Sequence, residues 1–187
     1  MWGRKYPSQR FIFEGMFNFA INQLFLMPMP VITIYTDGAS RGNPGKGGYG
    51  IVMMYGKHYK ELSAGYRFTT NNRMELLSVI KALEALKRNT DEIHIYTDSQ
   101  YVVNAIEKGW LKKWIATNFK GGKKNKDLWM KYHQLSKSFN LKFFWVKGHA
   151  DNVHNNRCDV LATTAADGGS LLIDEVFEQL QQDNTLL

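Results

Sequence analysis

Two aspartates stand in closely similar local sequences, YTDG at 35–38 and YTDS at 96–99. Each follows a short run of β-branched and aromatic residues, which is typical of a strand. If the segment between them is the crossover helix of a βαβ unit, the two strands are parallel. Active sites of open α/β sheets gather at the carboxyl ends of such strands. Asp37 and Asp98 are therefore expected to meet at one edge of the sheet.

Two further carboxylates complete a candidate set. Glu75 stands in the first turn of the predicted crossover helix, and Asp159 in the first turn of the last predicted helix. A carboxylate stays ionised easily at a helix N-terminus, because the helix dipole favours negative charge. Carboxylates held close together repel unless a cation lies between them or one is protonated. Four oxygen ligands without clustered Cys or His favour Mg²⁺ or Mn²⁺ over zinc.

Each carboxylate also has an ordinary structural interpretation. Aspartates at strand ends are commonly turn or cap residues. Asn72 and Glu75 have the spacing of a capping box, with Asn in place of Ser or Thr. Asp159 has an alternative role as a partner of the helix dipole. It is the occurrence of all four in one topology that favours a joint site.

The elements that must position these residues indicate an α/β domain with a mixed sheet. The Gly- and Pro-rich segment 38–48 is predicted to be a loop, and 168–187 an acidic tail with a short loose helix. The stripe of Leu76, Val79, Ile80 and Leu83 is predicted to be core. The predicted strands are 31–36, 49–55, 59–65, 93–97 and 141–146, and the predicted helices 72–88, 99–108, 127–137 and 156–166.

Composition limits the function classes. The net charge is +7, which raises the expectation of a polyanionic partner without indicating a fold. Cys158 is the only cysteine, so an intrachain disulfide is excluded and a reducing compartment is the simplest interpretation. A nucleophilic Cys158 is the alternative, disfavoured because it stands between Arg157 and Asp159 in a predicted helix. No Rossmann or Walker motif implies a nucleotide cofactor.

The first thirty residues differ from the rest of the chain. Arg4, Lys5 and Arg10 precede an apolar stretch that faintly resembles a signal peptide, but polar residues interrupt it and no small-residue cleavage site follows. The stretch is also too short to span a membrane. We expect residues 1–30 to be a dispensable leader, disordered or untranslated, with Met27 or Met29 as the hypothetical start of the native protein.

Five sequence blocks, in this order, resemble ribonuclease H of the bacterial type I family. The resemblance covers 31–167, and five ordered blocks make a chance match improbable. The blocks are TDGASRGNPG at 36–45, TTNNRMEL at 69–76, YTDSQYV at 96–102, WVKGHA at 145–150 and NRCDVLA at 156–162.

The resemblance implies a ribonuclease H-like fold, with a mixed central sheet and helices on both faces. It implies an endonuclease that hydrolyses the RNA strand of RNA·DNA hybrids with two metal ions, leaving 5′-phosphate and 3′-hydroxyl ends. The cofactor would be Mg²⁺, two ions per active site in the substrate complex, with Mn²⁺ as a substitute. The family's metal-binding carboxylates fall on the four residues above, and its catalytic histidine on His149, in a loop suited to proton transfer.

The resemblance also places substrate contacts. Asn43, Asn71 and Gln100 fall on positions that contact the minor groove, and Asn43 and Thr70 on a DNA-phosphate pocket; helix capping is the alternative for Asn71. The basic segment 108–126 matches the family's protrusion, although Gly121 and Gly122 depart from its best-known form. A solvated face is the alternative for this segment, and a core position for Trp114. Its candidate contacts are Trp110, Lys112, Lys113, Trp114, Lys123 and Lys124.

The expected partner is an RNA·DNA hybrid, bound by a cytoplasmic monomer with no membrane association. Three rival functions stay open from sequence. A non-catalytic hybrid-binding module would lack one of the four carboxylates, all of which are present. A resolvase or integrase would share the acidic cluster but not the NNRME and KGH blocks. A reverse-transcriptase domain is disfavoured because residues 1–30 show no polymerase-like sequence.

Overall fold

A computed structural model describes residues 31–87, 91–148 and 151–185 of the chain, and the leader 1–30 with its hypothetical start sites lies outside these ranges. The strands are β1 (Val31–Gly42), β2 (Gly45–Tyr55), β3 (His58–Thr69), β4 (Glu92–Thr97), β5 (Asn140–Trp145) and β6 (Leu171–Leu172). The helices are α1 (Asn71–Glu84), α2 (Gln100–Glu107), α3 (Trp110–Ala116), α4 (Lys126–Ser136), α5 (Val153–Asp167) and α6 (Glu175–Thr185).

The strands form one mixed sheet in the order β5-β4-β1-β2-β3-β6. β1, β2 and β3 are antiparallel neighbours, whereas β4 is parallel to both β1 and β5. A helix covers each face, because neighbouring residues of β2 face opposite helices: Gly47 faces Met74 of α1, and Gly48 faces Ala162 of α5. The expected mixed sheet with helices on both faces is confirmed.

The prediction of a glycine-rich loop at 38–48 is wrong. β1 continues to Gly42 and β2 begins at Gly45, so only a tight turn remains between them. Several of these glycines provide space for helix packing rather than freedom to turn. A β-carbon on Gly38 would lie 2.2 Å from the backbone nitrogen of Glu75, and one on Gly48 would lie 2.4 Å from the carbonyl oxygen of Ala162. Gly50, just after this segment on β2, is similar, since a β-carbon there would lie 2.1 Å from the carbonyl oxygen of Cys158.

The helix starts also differ from the sequence prediction. α1 has Thr70 as its N-cap, so the proposed capping box that starts at Asn72 is not formed. α5 has Asn152 as its N-cap, and its side chain accepts a hydrogen bond from the Asn155 backbone N–H. The prediction that Glu75 and Asp159 stand in the first turns of their helices is wrong for both, so the helix dipole acts on each less than the sequence suggested.

The main core lies between α1 and the sheet. The predicted stripe is confirmed, since Leu76, Val79, Ile80 and Leu83 are all buried. Trp129 of α4 extends this core towards the basic segment, where Trp114 packs edge-on against it with ring centroids 5.7 Å apart. The basic segment is consequently a folded element that includes α3, which the sequence did not predict.

The C-terminal segment is packed onto the fold. The sequence predicts a loose helix here, but Phe177 of α6 is buried and packs against Phe68 with ring centroids 5.7 Å apart. β6 pairs with Gly65 and Tyr66 of β3, which carries the sheet into this segment. Within the described residues, no helix combines the length and apolar character needed to cross a membrane.

Close packing of α5 on β2 yields a stability prediction. Gly50→Ala would press its new methyl group into the α5 backbone, and overpacking of this kind costs about 1–3 kcal/mol or more. Gly169→Ala is the control, since a β-carbon there meets nothing within 4 Å, and its effect should stay within about 0.5 kcal/mol. Urea unfolding followed by circular dichroism measures both, and equal stability of the two variants would contradict this packing.

Candidate active site

The four carboxylates predicted from sequence line a single open cleft of about 450 Å³. The parallel pairing of β1 and β4 ends at Tyr35 and Tyr96, so Asp37 and Asp98 stand just beyond it at the same edge. α1 brings Glu75 to the cleft from one face of the sheet, and α5 brings Asp159 from the other. The fold thus gathers side chains that are up to 122 residues apart in the sequence, from Asp37 to Asp159.

Glycines make this convergence sterically possible. The absence of a β-carbon at Gly38 lets the α1 backbone at Glu75 lie directly against β1, beside Asp37. Gly50 allows the equivalent approach of α5, which carries Asp159. At the rim, a β-carbon on Gly148 would lie 2.5 Å from Asp98 Oδ2, so this loop also approaches the cleft closely.

Asp37 is the most buried of the four, with 8% of its surface exposed. Burial, joined by the negative charges of Asp98, Asp159 and Glu75, raises its pKa to about 8. The Gly38 backbone N–H donates to Asp37 Oδ1 at 2.7 Å and offsets only part of the shift. Asp37 therefore holds a proton at neutral pH unless a cation compensates its charge.

Glu75 is held from both sides. The Ser99 hydroxyl donates to Oε2 at 2.5 Å, and the Asn71 amide donates to Oε1 at 2.8 Å. Burial raises the Glu75 pKa to about 7 with help from the charge of Asp98, although both hydrogen bonds oppose the shift. Ser99 was not singled out from sequence; its position directly after Asp98 is the signal that could have found it.

Asp98 is oriented by residues from β5 and α5. The Asn155 amide donates to Asp98 Oδ2 at 3.2 Å, and the Trp145 indole N–H donates to the Asp98 carbonyl at 3.1 Å. Asn155 is only 1% exposed, and among the described residues its Oδ1 atom has no hydrogen-bond partner. Sequence reasoning missed Asn155 because it placed the start of α5 at 156, three residues too late, and so left Asn155 in the preceding loop.

The donor set fits a hard divalent cation. All four ligand candidates are carboxylates, which a hard cation prefers. The pKa values of Asp37 and Glu75 are raised, and a nearby cation would lower them again. Within the described residues, no three acidic or histidine side chains are yet arranged closely enough to enclose an ion. The oxygens of Asp37, Glu75 and Asp98 accept hydrogen bonds from neighbouring protein groups, which orient these side chains in the cleft.

A second cleft, of about 710 Å³, contains several of the predicted substrate residues. Asn43, Thr70, Lys123 and Lys124 all line it. Asn71 connects the two clefts, because it lines the first and its backbone N–H donates at 3.4 Å to Oδ1 of Asn43, which lines the second.

The remaining predicted residues lie outside both clefts. Gln100 is exposed at the start of α2, and Lys112 and Lys113 are exposed on α3 with Trp110. Trp114 is half-buried against Trp129, which supports its alternative as a core residue. His149 lies outside the described residues.

Comparison with known proteins agrees with this geometry. A family model described as RNase H matches residues 29–167 of the chain. The chain belongs to the ribonuclease H family. It is accordingly an enzyme, an endoribonuclease of the hydrolase class, in a family that degrades the RNA strand of RNA/DNA hybrids.

Curated relatives and solved structures agree on the family. A ribonuclease H of Desulforamulus reducens is 58% identical over 147 residues, covering 76% of this chain and 92% of the relative. One of Syntrophus aciditrophicus is 52% identical over 151 residues, covering 79% and 87%. The structure of LC9-RNase H1, a type 1 enzyme with the type 2 active-site motif, has a TM-score of 0.68 at 29% identity and covers 82% of each chain. LC11-RNase H1 in complex with an RNA/DNA hybrid has a TM-score of 0.56 at 28% identity, covering 73% of this chain and 96% of the other.

The raised pKa of Asp37 predicts how stability depends on pH in the absence of divalent metal. The folded state binds a proton that the unfolded state has lost between about pH 4 and pH 8, so this carboxyl makes the protein less stable as the pH rises through that window. Asp37→Asn should therefore be more stable than the wild type at pH 8 by about 1–3 kcal/mol. The difference should shrink towards pH 4, and urea unfolding with EDTA at both pH values measures it. A constant difference would contradict the shift.

Proposed function

We propose that this ribonuclease H hydrolyses the RNA strand of RNA·DNA hybrids with divalent metal ions, leaving 5′-phosphate and 3′-hydroxyl ends. The observation that carries the proposal is the single cleft that collects four carboxylates, two of which have raised pKa values. Two Mg²⁺ ions, for which Mn²⁺ substitutes, would supply an activated water and stabilise the leaving oxygen. The four carboxylates are the residues that would hold them.

The protein's own groups have distinct roles in this proposal. Asp37 and Asp98 are central, because Asp37 lies on β1 and Asp98 directly follows the adjacent parallel strand β4, at the same edge of the sheet. Ser99 and Asn71 orient Glu75, and Asn155 orients Asp98, so these three side chains prepare the carboxylates for the cation. His149 is proposed to transfer a proton during product formation or release, as imidazole does readily near neutral pH.

The second cleft is proposed to bind the DNA strand. Asn43 and Thr70 offer short polar groups to a phosphate, and Lys123 and Lys124 add positive charge along the same cleft. Asn71 and Gln100 would contact the minor groove between the two strands. On α3, Lys112, Lys113 and Trp110 would extend the contact, with Trp114 as packing beneath them. LC11-RNase H1, a structural neighbour, is in complex with an RNA/DNA hybrid, which supports a hybrid as the partner.

We further propose that residues 31–167 form the catalytic domain, preceded by a leader at 1–30 and followed by a C-terminal segment at 168–187. We propose a monomer in the cytoplasm. Cys158 suits a reducing compartment, since it is a free thiol buried beneath β2. Burial raises the pKa of this thiol well above its usual range, so a nucleophilic role for Cys158 is disfavoured.

The direct test is cleavage of an end-labelled RNA·DNA hybrid in Mg²⁺, beside RNA·RNA and DNA·DNA duplexes. We expect only the RNA strand of the hybrid to be cut. Asp98→Asn should lower the rate at least about 100-fold by removing a charge-stabilising group, while hybrid binding stays largely intact. Asp183→Asn, an exposed change on α6, is the matched control and should leave the rate unchanged.

Each other outcome of this assay selects a different function. Full activity of Asp98→Asn would refute the site assignment. Hybrid binding without any cleavage by the wild type would favour the non-catalytic module, and cleavage of DNA would favour a resolvase-like nuclease.

The basic wall of the second cleft gives a separate prediction. Replacing Lys123 and Lys124 by Ala should weaken hybrid binding mainly at low salt, because each phosphate contact releases counterions. The slope of log affinity against log salt concentration should fall by about 1 for each lysine that contacts a phosphate. Fluorescence anisotropy with a labelled hybrid measures this slope. Lys60→Ala on β3 is the control, and an equal slope in all variants would exclude the lysines from the contact.

A further inference from the structure

One buried cation connects three distant parts of the chain. The Arg73 side chain, on α1, is 2% exposed and forms paired hydrogen bonds with two aspartates. Its Nη1 and Nη2 atoms donate to Asp127 at 2.9 and 2.7 Å, and its Nε and Nη2 atoms donate to Asp174 at 2.7 Å each. Paired contacts of this kind set orientation as well as distance.

Asp127 links this cation to the basic segment. It stands in the first turn of α4, three residues after Lys124. Asn125, between them, accepts from Arg73 Nη1 at 3.4 Å and donates to the Tyr101 hydroxyl at 3.1 Å. Arg73 therefore contributes to the position of the lysines relative to α1, beside the direct packing of α4 on α1 and the ion pair of Lys131 with Glu84.

Asp174 links the same cation to the C-terminal segment, which lies beyond the residues that match the family model. Its Oδ2 atom also accepts from the Thr69 hydroxyl at 2.8 Å, one residue before Thr70. The Phe177 ring packs against the guanidinium, 5.3 Å from the carbon at its centre. Val176, Phe177 and Leu180 then form a wall of the second cleft, which also holds the lysines.

Charge balance makes this arrangement sensitive to either carboxylate. Burial alone would lower the pKa of Arg73, but its hydrogen bonds with Asp127 and Asp174 outweigh burial and raise it. The guanidinium therefore stays charged. When one aspartate is lost, the cation keeps a single anionic partner and is free to shift towards it.

We propose that Arg73 and Asp174 are positioning residues for substrate: through Asp127 they hold the basic segment at a set distance from Thr70, and so make the C-terminal segment part of the hybrid-binding apparatus. The inference rests on the proposed role of the second cleft in binding the hybrid. The carboxylate cleft is held separately by Ser99 and Asn155. The effect therefore falls on hybrid affinity and KM rather than on kcat.

The test compares Asp174→Asn with Glu178→Gln. Glu178 also tethers α6, through an exposed ion pair with Arg67 at 2.7 Å, but that pair does not reach α1. We expect Asp174→Asn to raise the Kd for a labelled hybrid in EDTA about fivefold or more, equivalent to a lost contact of ordinary strength. KM should rise in parallel with Kd, whereas kcat should stay within about twofold of the wild-type value. Glu178→Gln should match the wild type in all three quantities. Circular dichroism fixes a temperature at which all variants are folded.

A double-mutant cycle separates positioning from general loss of stability. If Asp174 acts through the basic segment, its effect on Kd should shrink when Lys123 and Lys124 are already Ala, because interacting sites are not additive. Asp174→Glu, which keeps the charge but displaces the carboxylate, serves as a second variant and should also raise Kd.

Two results would overturn the inference. They are additive effects in the cycle, or unchanged Kd and KM in the folded Asp174 variants. A wild-type protein that neither binds nor cleaves the hybrid would instead refute the proposed function itself.

Discussion

Burial of Asp37, together with repulsion among the carboxylates around it in an open cleft, is the constraint on which the rest of this structure depends. Burial alone disfavours the charge on Asp37, and three further acidic groups add to the cost. Strands, helices and glycines hold the four carboxylates in the cleft despite this cost, before any cation binds. Gly38 and Gly50 let the backbones of α1 and α5 lie directly against the sheet, which brings Glu75 and Asp159 beside Asp37. The site is therefore preorganised for positive charge, which is the state that metal-assisted hydrolysis requires.

Much of this could be predicted from the sequence, for reasons that are local. The repeated YTD motif and the apolar stripe of α1 reflect strand and helix periodicity, and both hold in the structure. The glycine-rich segment misled the prediction because glycine indicates a turn when only neighbours in sequence are considered. These glycines make room for helices that follow much later in the chain, so no local sequence pattern reveals their role.

The same limit applies to the residues that orient the site. Ser99 and Asn155 act on carboxylates from other elements, and only the folded chain shows these contacts. Asp174 is a similar case, because an acidic tail gives no sign in sequence that one of its residues is buried against Arg73. The start of α5 was predicted too late for a related reason. Its cap at Asn152 is defined by a side-chain hydrogen bond and not by the apolar pattern of the helix.

The most direct test of the central claim is the proton balance of metal binding. Titration calorimetry with Mg²⁺ at pH 7, in two buffers of different ionisation enthalpy, gives the number of protons released. Crowded carboxylates that hold a proton without metal should release about one proton as the ion binds, and Asp37→Asn should release clearly less. Binding of Mg²⁺ without proton release in the wild type would contradict the claim that carboxylate crowding prepares this site for a cation.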